Sequence, residues 1–294
     1  MVQLDGSPHD WFEGRAPKCT LLVFIDDATS QILWLEFVES ESLHAVMQAA
    51  KNYFTKYGRP GEFYVDYGSV FSVNTNNRDR DKITQFERAM RELGITVIHA
   101  KSPQAKGRVE RCNRTMQDRL VFELRLANAC SIDQANRFLR TSDFIAEHNS
   151  LYAREAAQSG DAHRSIENYD LINILCIKTE RVVTNDYTLT YKRRILQLLD
   201  TKSVLVRPKD HIGLHEHFDG SISLFSRKKS LAFREIGTKE PTKLNPVAYV
   251  NFERQAPIEI LSSKDESVST VNSNLLNQLE QAHLKALALQ ALSR

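Results

Sequence analysis

The chain has 294 residues, of which 41% are hydrophobic and 26% charged, with a formal net charge of +2. That balance fits a soluble globular protein with one sizeable core and a smaller unit, and it excludes a disordered chain or a uniformly basic carrier. Cys19, Cys112, Cys130 and Cys176 form no CxxC pair, no apolar run approaches a membrane span, and "MVQLDGSPHD" lacks the regions of a signal peptide, so a cytoplasmic protein is expected.

"CTLLVFIDD" and "QILWLEFV" read as two antiparallel strands around a tight turn. "ESLHAVMQAAKNYFTKYG" carries Leu43, Val46, Ala50, Tyr53, Phe54 and Tyr57 at helical spacing and is stopped by Gly58 and Pro60. A strand in "GEFYVDYG", a helix in "KITQFERAMRELG" and a strand in "ITVIHA" follow. Ser102 and Pro103 are suited to open the next helix, expected to run to about Leu126. Another helix, "SIDQANRFLRTSDFIAEHN", begins with the capping pair Ser131 and Gln134. This order gives an α/β unit over residues 1–150. Residues 151–176 read as a linker, residues 177–237 as a small antiparallel β-barrel, and residues 238–294 as a tail with a terminal helix near Asn272–Leu292.

Asp5 in "QLDGS", Asp66 in "YVDYGS" and Glu110 in "SPQAKGRVERCNR" are the informative acids. Alone, a strand-end Asp before glycine is a turn former, and a Glu among arginines is a solvated ion pair. In order, the motifs "QLDGS", "YVDYGSVF" and "AKSPQAKGRVERCNR" resemble the catalytic core of retroviral-integrase-type DDE transposases, with a closer likeness to bacterial insertion-sequence transposases of the ISNCY type. The resemblance implies an RNase H-like mixed five-stranded sheet flanked by helices, followed by the small barrel. It also implies two Mg²⁺ or Mn²⁺ ions held by Asp5, Asp66 and Glu110. The implied reaction is cleavage and strand transfer on double-stranded DNA, at transposon ends and target, by a homo-oligomer acting at the nucleoid. Asp26 and Asp27 are read as turn formers and Cys112 as incidental.

Lys101 to Arg125 holds seven Lys/Arg against three acids, an excess of 7 − 3 = +4. Lys106, Glu110, Asn113, Arg114 and Gln117 share one helix face. Lys178 to Glu235 holds 12 Lys/Arg against 7 acids, with clusters "YKRR" and "SRKK". The expected DNA contacts are Lys101, Gln104, Lys106, Arg108, Arg111, Asn113, Arg114, Arg193, Arg194 and Lys228. "HIGLHEHF" is expected to be a loop of exposed histidines, and Trp11 and Trp34 packing residues. Members of the resembled family carry an N-terminal helix-turn-helix, whereas here only Met1–Leu4 precede Asp5. A short, frayed opening strand is therefore expected, and the rival reading is an inactive DNA-binding or inhibitory fragment. A third reading, a nuclease of RNA–DNA hybrids, is disfavoured by the "SPQAKGRVE" helix.

Overall fold

Strand β2 (Cys19–Asp26) is apolar on both faces, so it has to be covered on both. Leu22 and Phe24 enter one core and Leu21, Val23 and Ile25 the other. In the structure, a computed structural model that describes residues 1–72, 83–100, 107–158, 160–199 and 204–238, helices meet that requirement from either side. Around β2 lie β1 (Val2–His9), β3 (Ile32–Val38), β4 (Glu62–Val65) and β5 (Thr96–His99), in the order β3-β2-β1-β4-β5. The first three strands are antiparallel, while β4 runs parallel to both β1 and β5.

One face is covered by α1 (Leu43–Tyr57) and α2 (Gln85–Glu92), whose Met47, Tyr53, Phe54 and Phe86 pack on Phe24 and Phe63. The other is covered by α3 (Gly107–Leu126), α4 (Ile132–Thr141) and α5 (Phe144–Tyr152), which bury Trp11, Phe12 and Phe37 with Met116 and Leu120. Ser42, Thr84 and Ser131 cap α1, α2 and α4 by accepting N–H bonds from Ala45, Glu87 and Gln134. The single helix expected from Ser131 to Asn149 is divided: Ser142 is extended and Asp143 opens α5 without a side-chain cap bond.

The opening strand is not frayed. β1 is eight residues long and central, with Val2, Gln3 and Leu4 buried. Pro8 is tolerated because the β4 ladder covers only Val2 and Gln3, so no donor is required on that side.

After α5 the chain returns to the core. Arg59 and Arg164 exchange backbone hydrogen bonds, and the Arg59 guanidinium donates to the Leu93 carbonyl at 2.8 Å. Gly58 makes this junction possible: its φ is +84°, and a Cβ there would lie 2.6 Å from the Arg164 oxygen. The chain then enters α6 (Leu171–Ile174) and β6 (Ile177–Val182). Gln85 holds Lys178 by two backbone bonds, and Arg88 donates to the carbonyls of Ile174 and Cys176.

The remaining strands are β7 (Thr188–Tyr191), β8 (Arg194–Leu198), β9 (His211–Glu216), β10 (Ile222–Ser226), β11 (Lys229–Leu231) and β12 (Phe233–Thr238). They make two antiparallel sheets, β11-β10-β9-β6 and β12-β8-β7, over a shared core of Leu189, Leu196, Leu214 and Leu224. Among the described residues the ladders do not join into one closed barrel. Val204–Val206 is turn and irregular chain, and "HIGLHE" is strand β9 rather than a loop. The two sheets and the central sheet belong to one compact unit, Met1–Glu240. The expected terminal helix and the polar segment 73–82 lie outside the described residues. No helix among the described residues is long and apolar enough to cross a membrane.

Candidate active site

Strand β1 turns Gln3, Asp5 and Ser7 toward α3, and each meets a helix residue four places further on. Val109 N–H donates to Gln3 Oε1 at 3.2 Å, Asn113 Nδ2 to Asp5 Oδ2 at 2.8 Å, and Gln117 Nε2 to Ser7 Oγ at 3.0 Å. Two strand residues advance about 6.6 Å and four helix residues about 6 Å, so the two periods match over this span. The seam fixes the register of α3 on the sheet. It also fixes the Asn113 amide, since an ionised carboxylate accepts only a donor. Asn113 Oδ1 is then left buried without a hydrogen-bond partner.

Asp66 follows directly on β4. The β1–β4 ladder pairs Val2 with Phe63 and Gln3 with Tyr64, an offset of 63 − 2 = 61. The pairing stops there: Asp5 lies two residues past Gln3 on β1, and Asp66 lies two residues past Tyr64, directly after the end of β4. Asp66 Oδ1 accepts the Gly68 N–H at 2.7 Å, which closes a tight turn. Its carbonyl is bonded to His99 Nδ1 at 3.2 Å. Tyr67, 60% exposed, stacks on the His99 ring with centroids 5.1 Å apart. Sequence reasoning passed over this aromatic pair. It also passed over Glu41, whose carboxylate lies so close to Gly6 that a Cβ there would approach it to 2.7 Å.

Glu110 lies in the first turn of α3, exposed and one turn before Asn113. The acids are oxygen donors of the kind hard divalent cations prefer. The unpartnered Asn113 oxygen adds a buried acceptor beside Asp5. Among the described residues, however, no three His, Cys, Asp or Glu side chains are gathered into a group that could hold a metal ion. Cys112 is buried and its thiol is pushed up to about 12 by desolvation, which makes it a packing group. Asp26 accepts from Thr29 as a turn former should, whereas Asp27 braces α3 by accepting from Gln3 Nε2 and Arg108.

The expected DNA contacts separate into groups. Lys101, Gln104 and Lys106 lie outside the described residues. Arg111 and Arg114 are exposed on α3, and among the described residues neither guanidinium has a partner. Arg108 is paired with Asp27 at 2.6 Å, Asn113 is committed to Asp5, and Arg194 is paired with Glu235 at 2.7 Å. Arg193 and Lys228 stand on two-residue hairpin turns, Lys192-Arg193 and Arg227-Lys228, closed by the pairs Tyr191–Arg194 and Ser226–Lys229. All four turn residues have positive φ, from 45° to 69°. Such turns ordinarily take Asn or Gly.

His215 of β9 packs on Phe225, and burial together with Lys178 pushes its pKa down to about 4. Trp11 is fully buried, and Trp34 is half-buried with Nε1 donating to Glu36 at 2.8 Å.

No protein-family model matches the chain. By sequence it is similar to the inferred transposase y4bF of Sinorhizobium fredii, 39% identical over 80% of this chain and 51% of that one. It is also similar to the transposase for insertion sequence IS1202 of Streptococcus pneumoniae, 31% identical over 76% of this chain and 48% of that one. The chain thus spans about half the length of these relatives. Among solved structures, a chain of the simian T-cell lymphotropic virus intasome with PP2A regulatory subunit B56 gamma aligns at a TM-score of 0.41 and 13% identity, over 80% of this chain and 78% of that one. The HTLV-2 integrase catalytic core domain in complex with magnesium aligns at 0.36 and 18%, over 46% and 79%.

Proposed function

The chain is a sequence relative of insertion-sequence transposases, and we propose that it is a DDE-type polynucleotidyl transferase acting in DNA transposition. What supports this reading is that Asp5 lies on β1 and Asp66 directly follows β4, strands that pair at Val2–Phe63 and Gln3–Tyr64, and that Asn113 of α3, the helix that bears Glu110, donates to Asp5. The reading requires Asp5, Asp66 and Glu110, which are not gathered into one metal group here, to close on two Mg²⁺ or Mn²⁺ ions when these bind. Bound there, the metals would supply Lewis acidity and an activated oxygen nucleophile. Hydrolysis at a transposon end frees a 3′-hydroxyl, which then attacks a target phosphodiester, so the enzyme itself needs no nucleophile.

The chain's own residues position the DNA. Arg111 and Arg114 hold backbone phosphates beside the acids. Tyr67, stacked on His99 next to Asp66, offers a face on which a frayed base can rest. Arg193, Arg227 and Lys228 carry the contact onto the C-terminal sheets. Asn113 acts through Asp5 as a positioning residue. A homo-oligomer on double-stranded DNA completes the reading.

The test is strand transfer by the purified chain with pre-cut labelled ends and Mn²⁺. Activity is expected in the parent and absent in Asp66→Asn and Glu110→Gln. Unchanged activity in either variant overturns the assignment.

A further inference from the structure

On the face of α3 turned away from Glu110 lies a surface cavity of about 130 Å³. Arg108, Arg111 and Thr115 form its helix row, about 100–160° around the axis from Glu110. The opposite wall is the β2–β3 turn with Ser30, and the end of α5 with His148, Tyr152 and the following Arg154. The Arg154 backbone is tied to that turn by its N–H, which donates to the Thr29 carbonyl at 2.8 Å.

The charges around this cavity do not balance. Arg108 has Asp27 as counter-charge, but among the described residues the guanidiniums of Arg111 and Arg154 have none. His148 is 4% exposed, and its Nδ1 is buried without a hydrogen-bond partner. Desolvation holds its pKa below the ordinary value, so at neutral pH the ring is uncharged and carries a single N–H. Tyr152 accepts from Arg119 at 3.3 Å, which leaves the phenol proton available to donate.

We propose that this cavity is an oxyanion site for a phosphate group, bound by Arg111 and Arg154 with His148 and Tyr152 as neutral donors. Planar guanidinium forks match phosphate geometry, and a bound dianion relieves the repulsion between the unpaired arginines. The phosphate has two sources: free phosphate or a nucleotide, and the backbone of a nucleic acid running behind the catalytic helix. The site needs none of the carboxylates; it shares Arg111 with the proposed DNA contacts, so Arg154→Gln is the variant that separates it from the transposase reading.

Titration calorimetry of the full chain with inorganic phosphate at low ionic strength is the test. It is paired with duplex binding measured across a salt series. One phosphate per chain is expected, weakened about 10-fold or more in Arg154→Gln and in Arg111→Gln. Arg154→Lys keeps the charge and loses the fork, and is expected to recover only part of the affinity. If the backbone is the source, Arg154→Gln also lowers the salt slope of duplex binding by about 0.9. If free phosphate is the source, that slope stays unchanged while phosphate binding is still lost. The proposal is overturned if the parent binds no phosphate and the slope is unchanged. It is equally overturned if parent and variants bind phosphate alike, which marks an adventitious ion only.

Discussion

In the central sheet, charge is set in place by relaxed backbone. Asp5 lies mid-strand, paired with Val23 of β2 and held by Asn113, and the left-handed junction at Gly58 is given to glycine. In the C-terminal sheets the allocation is reversed. Among the described residues nine non-glycine residues have positive φ, five of them Lys or Arg, and all five follow residue 190: Lys192, Arg193, Lys209, Arg227 and Lys228. Each such position costs about 1 kcal/mol or more against glycine. One region therefore gains stability from how its charged groups are placed, while the other gives stability up to present cations on turn tips. The difference shows which charges a stability argument can explain and which call for a partner.

Breaking the relaxed region has the largest expected effect. Gly58→Val forces a side chain into the Arg164 carbonyl at a left-handed φ, and about 3 kcal/mol or more of stability is expected to be lost in urea unfolding. Asn113→Ala removes the amide from the Asp5 carboxylate. A 10–100-fold loss of strand transfer is expected with little change in duplex affinity, as befits a positioning residue. Were Asn113 a direct DNA contact instead, affinity would fall and turnover at saturation would not.

The strained tips sharpen the comparison because their effects carry opposite signs. Replacing Arg227 and Lys228 by Asn and Gly is expected to raise stability by about 1 kcal/mol. The same change is expected to lower the salt slope of duplex binding by about 1 to 2. A stabilised variant with unchanged DNA binding would mean these tips are not contacts.

The smallest effect concerns His215, whose pKa falls from 6.5 to about 4 through burial and Lys178. The unfolded chain binds the proton more tightly, so this group's stability is present above about pH 6.5 and lost as pH falls toward about 4. His215→Gln is expected to flatten that acid limb, read as the urea midpoint at pH 7 and pH 5.

Much of this was legible in the sequence because periodicity and punctuation decide it locally. Helix α1 with its Gly58 stop, α2, and the strand leading into Asp66 follow from spacing and breakers. The placement of β1 was not legible, because its order comes from two neighbours distant in sequence rather than from its own length. The pairing of Asp5 with Asn113 is likewise a tertiary match of strand and helix periods. The histidine strand was misread although its signal was there: Ile212 and Leu214 point inward between His211, Gly213 and His215, a clean period of two. The strain at Lys192-Arg193 and Arg227-Lys228 had no signal, since the composition of those turns argues against the turns they form.

The central proposal is that Asp5 on β1 and Asp66, directly after its partner strand β4, act together as one cation site. The direct measurement is Mn²⁺ bound per chain, followed by electron paramagnetic resonance in the parent, Asp5→Asn and Asp66→Asn. Saturable binding in the parent, lost to a similar extent in both variants, is the expected result. Retention of parental Mn²⁺ binding by either variant would contradict the account.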